Sequence, residues 1–256
     1  MIYFVSDIHL GAGSRAEARR TERAFCRWLD HISDDATALY LLGDIFDFWF
    51  EYQRVVPQGF VRVLGRLATL VDNGTRVVFY TGNHDMWCYD YLERECGIEV
   101  VTAPRVETLA GRSVHLAHGD NMNIDGQPLL KLMNSAFRSR VLRVIFSWII
   151  HPDLFLRFGQ WWSGKSRKSH GADPESVERL GCLVDYARCH HSQHPDTDAY
   201  IFGHMHIPHR HVDATLDVLF MSHWSGDVAT YATMDESGNF DLKTFVIDET
   251  ISGTSA

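Results

Sequence analysis

Along the first hundred residues, short runs of consecutive apolar residues alternate with longer stretches in which apolar positions recur every third or fourth residue. The runs "IYFVS", "ALYLLG" and "RVVFYTG" have strand length, and they are too continuously apolar to carry one solvated face. Between them, residues 15–32 place Ala18, Phe25, Trp28, Leu29 and Ile32 at helical spacing. Residues 59–71 repeat that pattern, and 89–96 predict a third, shorter helix. The βαβαβ rhythm predicts a mainly parallel sheet covered by helices. Later runs at 98–102, 113–117, 199–202, 218–221, 229–234 and 242–247 have fewer helices between them and predict a second, more antiparallel sheet. The C-terminal "ETISGTSA" is small and polar, as expected of a frayed end.

One window breaks the pattern. From Pro128 to Lys168 the chain carries eight Lys and Arg against Asp153 alone, so this window holds +7 and the remainder −16 of the overall −9. The same window is dense in Trp, Phe, Leu and Ile, including "VIFSWII" and "FLRFGQWW" ahead of "SGKSRKS". It predicts helices inserted into a single domain of residues 1–256, with the insertion spanning 127–195. A basic segment rich in large apolar residues suits an anionic membrane interface, and "SGKSRKS" reads as a flexible loop able to offer cations to a diphosphate. The plainer reading is a helical cap with buried apolar residues and solvated arginines. The acidic remainder argues against a nucleic-acid binder.

The five cysteines include no C-x-x-C pair, which excludes a disulfide framework and a zinc knuckle and predicts reduced thiols. The chain opens directly on a strand, with no pattern of a secretory leader, and no apolar run reaches a membrane span. The expected location is cytoplasmic, peripheral on the cytoplasmic membrane face.

Polar clusters stand where apolar runs end: Asp7 and His9 in "FVSDIHLG", Asp44 and Asp47 in "LLGDIFDFW", Asn83, His84 and Asp85 in "YTGNHD", His118 in "HLAHGD", and His204 and His206 in "YIFGHMHIPH". Loops at the carboxyl ends of strands converge on one crevice in open α/β sheets. Imidazole, carboxylate and amide oxygen together suit borderline divalent metals, and a carboxylate such as Asp44 has two oxygens with which to bridge a pair. D-x-H or G-D alone is commonplace, and His209 and His211 read as surface polarity. The ordered series is what carries the signal.

That series, D-x-H, G-D, G-N-H-D, H-G-D and G-H-x-H, closely resembles the calcineurin-like metallophosphoesterase superfamily over about the first 120 residues and roughly 198–235. The resemblance implies an α/β fold of two sheets in an α/β/β/α sandwich, with two divalent ions, often Mn2+ (Fe or Zn as alternatives), at the strand ends. It implies Asp7, His9, Asp44 and His206 around one ion, and Asp44, Asn83, His118 and His204 around the other. His84 would be the catalytic imidazole outside the metal shell, with Asp85 orienting it. The chemistry implied is attack of a metal-activated water on phosphorus.

"LLGDIFDFW", the basic helical lid and "HWSGDVATYATMD" further resemble the UDP-2,3-diacylglucosamine pyrophosphatase family of the lipid A pathway. This implies a nucleotide-linked glycolipid substrate, an acyl-chain pocket under the lid, and substrate contacts from Asn83, His84, Asp125, Ser163, Lys165 and Lys168. One departure stands out: the best-known branch of that family has Arg at the position of His84. Two other classes compete, a soluble phosphodiesterase or nucleotide phosphatase with a mere cap, and a non-enzymatic metal-binding scaffold. The scaffold reading fits poorly with a full set of ligands.

Overall fold

The central strands are apolar on both faces because each face meets a different layer. In β1 (Ile2–Val5), β2 (Ala38–Leu42) and β3 (Arg76–Tyr80), the side chains of Val5, Leu39, Leu41, Val77 and Phe79 share a core with α1 (Arg15–Ile32) and α2 (Val61–Asp72). Phe25, Trp28, Leu29, Val63 and Leu67 are the helical partners. The alternate residues Phe4, Tyr40, Leu42, Val78 and Tyr80 pack in a second core with Val114 and Leu116 of β6 (Arg112–Ala117) and Ile201 of β7 (Ala199–Phe202). The far face of the second sheet, through Ala117, Tyr200 and Phe202, meets Leu183 and Ala187 of α6 (Gly181–Gln193). Period-two alternation between two cores produces the α/β/β/α sandwich that the sequence led us to expect. The computed structural model describes residues 1–122, 132, 135–137, 139–170, 180–224 and 226–247.

The first sheet has the order β11-β10-β1-β2-β3-β4, where β4 is Glu99–Val101, β10 is Val228–Met234 and β11 is Phe240–Val246. Strands β1 to β4 run parallel, while β10 is antiparallel to both β1 and β11. The second sheet has the order β5-β6-β7-β9-β8, with β5 at Arg105–Leu109, β8 at His209–Val212 and β9 at Asp217–Phe220. Its centre, β6-β7-β9, is parallel, and only the edge strands β5 and β8 are antiparallel.

This corrects the expected partition of the later strands. The runs at 98–102, 229–234 and 242–247 extend the first sheet, and the second sheet is mixed. The β10 register explains the choice: Ala232 and Met234 face the inter-sheet core, while Ala229 and Tyr231 face α1. Strands β5 and β8 were not anticipated; both are edges, and in β8 His209 and His211 supply paired backbone as well as polarity.

Helix α1 begins with a capping box, Glu17 N donating to Ser14 Oγ and Ser14 N to Glu17 Oε2. Helix α3 (Tyr91–Cys96) is tied at its start by Glu51, whose carboxylate accepts from the Asp90 and Tyr91 amides and from Trp49 Nε1. Between β6 and β7 lie α4 (Arg140–Ile149) and α5 (Pro152–His170). The run 163–169, expected as a flexible loop, forms the end of α5. All five cysteines are free. Among the described residues, no helix is long and apolar enough to cross a membrane.

Candidate metal centre

Each strand-end loop continues to bond its neighbour beyond the sheet, which fixes where the polar side chains go. Asp7 N donates to Gly43 O at 3.1 Å, His9 N to Asp44 O at 3.0 Å, Gly203 N to His118 O at 2.9 Å, and Trp224 N to Asp7 O at 3.1 Å. Asp7, His9, Asp44, His204 and His206 all hold left-handed backbone conformations, with φ between 49° and 67°. Such conformations are uncommon for residues other than glycine, and they concentrate where the surroundings impose them for function. The glycines of the motifs have a steric reason. A Cβ on Gly43 would lie 2.5 Å from His118 Nδ1, and one on Gly203 would lie 2.7 Å from Ser6 Oγ and 2.8 Å from Asp7 Oδ2.

The seven predicted ligands converge. His206 Nε2 is 3.2 Å from Asp7 Oδ1 and 3.3 Å from His9 Nε2, and His118 Nε2 is 3.3 Å from both Asp44 Oδ2 and Asn83 Oδ1. Among the described residues, three groups have ligand atoms close enough to share an ion: Asp7, His9 and His206; Asp44, His118 and His204; and His9, Asp44 and His84. Donor atoms bound to a cation at about 2.0–2.2 Å stand roughly 3.0–3.4 Å from one another, so these separations fit metal coordination.

The imidazoles are turned correctly for it. His118 Nδ1 donates to Leu42 O at 2.9 Å, leaving Nε2 toward the cluster. His84 Nδ1 donates to Asp47 O at 2.9 Å, and its Nε2 lies 3.9 Å from Asp44 Oδ2. Outer groups hold the inner ones: Asp7 accepts from the His204 amide and from the Ser6 hydroxyl, and His84 N donates to Asp44 Oδ1 at 2.9 Å.

Electrostatics keep the donors in binding form. Burial would raise Asp7 and Asp44, but the facing imidazoles outweigh it, taking Asp7 down to about 2 and Asp44 well below the carboxylate range. Burial pushes His9 down to about 3 and His204 to about 4, so both rings are neutral with available lone pairs. His118 is different: burial pulls it down, yet the Asp44 carboxylate more than compensates and holds it well above the usual range. That position favours positive charge, which a bound cation would supply instead of a proton.

Asp85 does something other than expected. Its carboxylate accepts from Gly82 N at 2.7 Å, Ile45 N at 2.8 Å, and Asp44 N and Phe46 N at 3.3 Å each. It therefore stitches the Asp44 loop to the Asn83 loop and does not orient the His84 ring. That ring is set by Asp47 O and by Ser163 Oγ, 2.8 Å from His84 Nδ1. Ser163 also donates to Asp47 Oδ1 at 2.6 Å. The sequence placed Asp47 behind Asp44 without a task; its spacing on the same loop was the only signal. Asp125 lies outside the described residues, as do the side chains of Lys165 and Lys168.

A cavity of about 410 Å³ opens from His84, Asn83 and Ser163 between the sheet ends and helices α4 and α5. Phe48, Trp87, Phe137 and Phe155 dominate its walls. Gly159 allows α5 to lie directly on the Phe48 ring, since a Cβ there would collide with it.

The model of the calcineurin-like phosphoesterase family matches residues 1–208. A Porphyromonas gingivalis protein named UDP-2,3-diacylglucosamine hydrolase is 38% identical over 218 residues, covering 80% of this chain and 83% of that one. A Haemophilus influenzae protein of the same name is 24% identical, covering 93% and 96%. Among solved structures, an archaeal phosphodiesterase aligns with a TM-score of 0.50 at 10% identity, covering 95% of this chain and 99% of that one, and so shares the fold. Members of the matched family depend on two divalent metal ions, and the clustered donors above supply ligands for such a centre. The chain belongs to the calcineurin-like phosphoesterase family and is a metal-dependent phosphoester hydrolase.

Proposed function

We propose that this protein hydrolyses the diphosphate of UDP-2,3-diacylglucosamine to UMP and 2,3-diacylglucosamine 1-phosphate, a step of lipid A biosynthesis. The observation that carries this reading is the aromatic cavity beginning at His84 and Asn83, because it joins the donor cluster to a space suited to acyl chains. The relatives' names support the same substrate.

In this reading Asp7, His9, Asp44 and His206 hold one ion, and Asp44, Asn83, His118 and His204 the other, with Mn2+ the leading candidate and Fe or Zn the alternatives. When bound, the pair supplies a water of lowered pKa and a clamp on phosphoryl oxygens. The chain's own residues do the rest. His84 commits Nδ1 to the Asp47 carbonyl, so only Nε2 is left to meet the charge that develops on the phosphoryl group or leaving oxygen. The aromatic walls exclude water from the acylated half of the substrate. A leaving phosphate monoester needs little protonation, which makes His84 a workable replacement for an arginine.

Residues 127–195 then act as a lid on the single domain 1–256, with Asp125, Ser163, Lys165 and Lys168 as substrate contacts. Trp148 and Ile149 of α4 are 75% and 76% exposed, and Val141 of α4 and Leu154 of α5 are exposed as well. An apolar face of this kind, set in a basic window, supports peripheral docking on the cytoplasmic face of the membrane.

The test is turnover. The Mn2+-loaded protein should release UMP from UDP-2,3-diacylglucosamine, and Asp44→Ala should abolish both turnover and metal binding. Turnover confined to soluble phosphodiesters would refute the lipid substrate.

A further inference from the structure

A second cavity, of about 250 Å³, opens on the other side of the donor cluster, and nothing above assigns it a ligand. It lies at the carboxyl ends of β3, β4 and β6, bounded by Thr81, Thr102, His118, Asp120 and Asn121, with Tyr186 of α6 as an aromatic wall. The ridge between the two cavities is the pair Asn83 and His118, whose Oδ1 and Nε2 stand 3.3 Å apart. Asn83 lines the aromatic cavity and His118 the second one. A substrate cleaved over this ridge therefore has two unlike directions in which to extend.

The chemistry of the second cavity differs from that of the first. Among its described lining residues Asp120 is the one carboxylate and none is Lys or Arg, while the His118 ring is committed to Asp44. It is thus ill suited to another phosphate. Hydroxyls, an amide and a carboxylate instead match a neutral ring with mixed donors and acceptors and a vicinal diol, since each such group keeps a hydrogen-bond partner on leaving water. Tyr186 offers a ring edge or face to a planar base. At about 250 Å³ the space falls below the roughly 300–1,000 Å³ that holds drug-sized ligands, so it suits one fragment of a large substrate. It does not suit a pair of acyl chains.

We infer that this cavity is the nucleoside subsite, taking the base and ribose of the nucleotide half while the acylated half enters the aromatic cavity. The inference rests on the proposed substrate and adds to it a polarity along the site. The scissile diphosphate lies across Asn83 and His118, the lipid toward Phe48, and the nucleoside toward Tyr186. Asp120 and Asn121 contact the base or the ribose hydroxyls, and Thr102 closes the rim.

The test uses the full chain loaded with Mn2+. Inhibition by UMP, by ribose 5-phosphate and by 2,3-diacylglucosamine 1-phosphate is measured on the parent protein and on Thr102→Trp and Asn121→Leu. UMP is expected to inhibit the parent about tenfold more strongly than ribose 5-phosphate. Each substitution is expected to weaken UMP about tenfold while moving the acylated product by less than about twofold. Equal inhibition by UMP and ribose 5-phosphate overturns the inference, as does UMP inhibition unaltered in both variants. Calorimetric titration of UMP into the loaded protein separates the two readings. Binding that Thr102→Trp weakens, in a protein inert toward UDP-2,3-diacylglucosamine, keeps the nucleoside subsite and removes the substrate. Hydrolysis without measurable UMP binding does the reverse.

Discussion

Ser163 of α5 places its hydroxyl 2.8 Å from Nδ1 of His84, across 79 residues of chain. Ser163 is 1% exposed and also donates to Asp47 at 2.6 Å. Helix α5 thus touches the His84 imidazole directly, and the seating of the helix is coupled to the orientation of the ring.

Replacing Ser163 with Ala should release that coupling. Losing the hydroxyl leaves Asp47 Oδ1 short of a buried donor, a cost of about 1–3 kcal/mol in stability. Turnover should fall about tenfold through kcat, with metal content unchanged, because no predicted ligand is touched. Steady-state kinetics with metal analysis checks this; an unchanged kcat would mean that the ring is fixed by the Asp47 carbonyl alone.

Gly203→Ala tests the packing of the motif glycines. The new Cβ would meet Ser6 Oγ and Asp7 Oδ2 at 2.7 and 2.8 Å, so the Asp7 carboxylate must move. Metal affinity should drop by about 10–100-fold, the range seen when groups supporting a ligand are disturbed. Competition with a fluorescent chelator reads this directly, and wild-type affinity would contradict the geometry.

The exposed α4 face gives a third expectation. Trp148→Asp together with Ile149→Asp should abolish flotation with vesicles containing anionic lipid, while a soluble phosphodiester is hydrolysed as before. Both positions are more than 70% exposed, so the fold should tolerate the change. Undiminished flotation would remove the membrane face from the proposal.

Acid stability should depend on His115. Burial, then the neighbouring His190, lowers its pKa from 6.5 to about 4. Above pH 6.5 both folded and unfolded chains carry it neutral, so it has no effect there. As pH falls from 6.5 toward 4, only the unfolded chain takes up the proton, and stability declines by up to about 3 kcal/mol before levelling off. His190, also lowered by burial, adds a contribution of the same sign. Denaturant unfolding of metal-loaded protein across this range should show a shallower decline for His115→Gln than for the parent. Parallel pH profiles would show that His115 is solvated in the folded state.

Much of this was legible in the sequence, for identifiable reasons. The apolar runs of β1, β2 and β3 are continuous because both faces are buried, and α1 is bounded by its own capping box, so local pattern and tertiary role agree. The destination of β10 and β11 was not legible, because alternation tells which residues share a face but not which neighbouring strand pairs. The edge strand β8 reads His-Arg-His-Val, a polar run whose backbone pairing leaves no apolar trace.

At the site, the residues that cluster were legible because each stands at the end of a strand in a short motif. Asp85 was misjudged because neighbours in an irregular loop point in unrelated directions, and its carboxylate turns inward to four amides. Ser163 came from resemblance alone, since no local pattern can announce a contact to His84 made from a distant helix.

The left-handed turns at Asp7, His9, Asp44, His204 and His206 have a consequence for how the centre is assembled. Because strand pairing bends these loops, incoming cations meet a claw whose bite is already cut. Loading and stripping should then leave the architecture standing, and one metal should replace another without refolding. Which ion resides there would be governed by cellular supply as much as by the protein's preference.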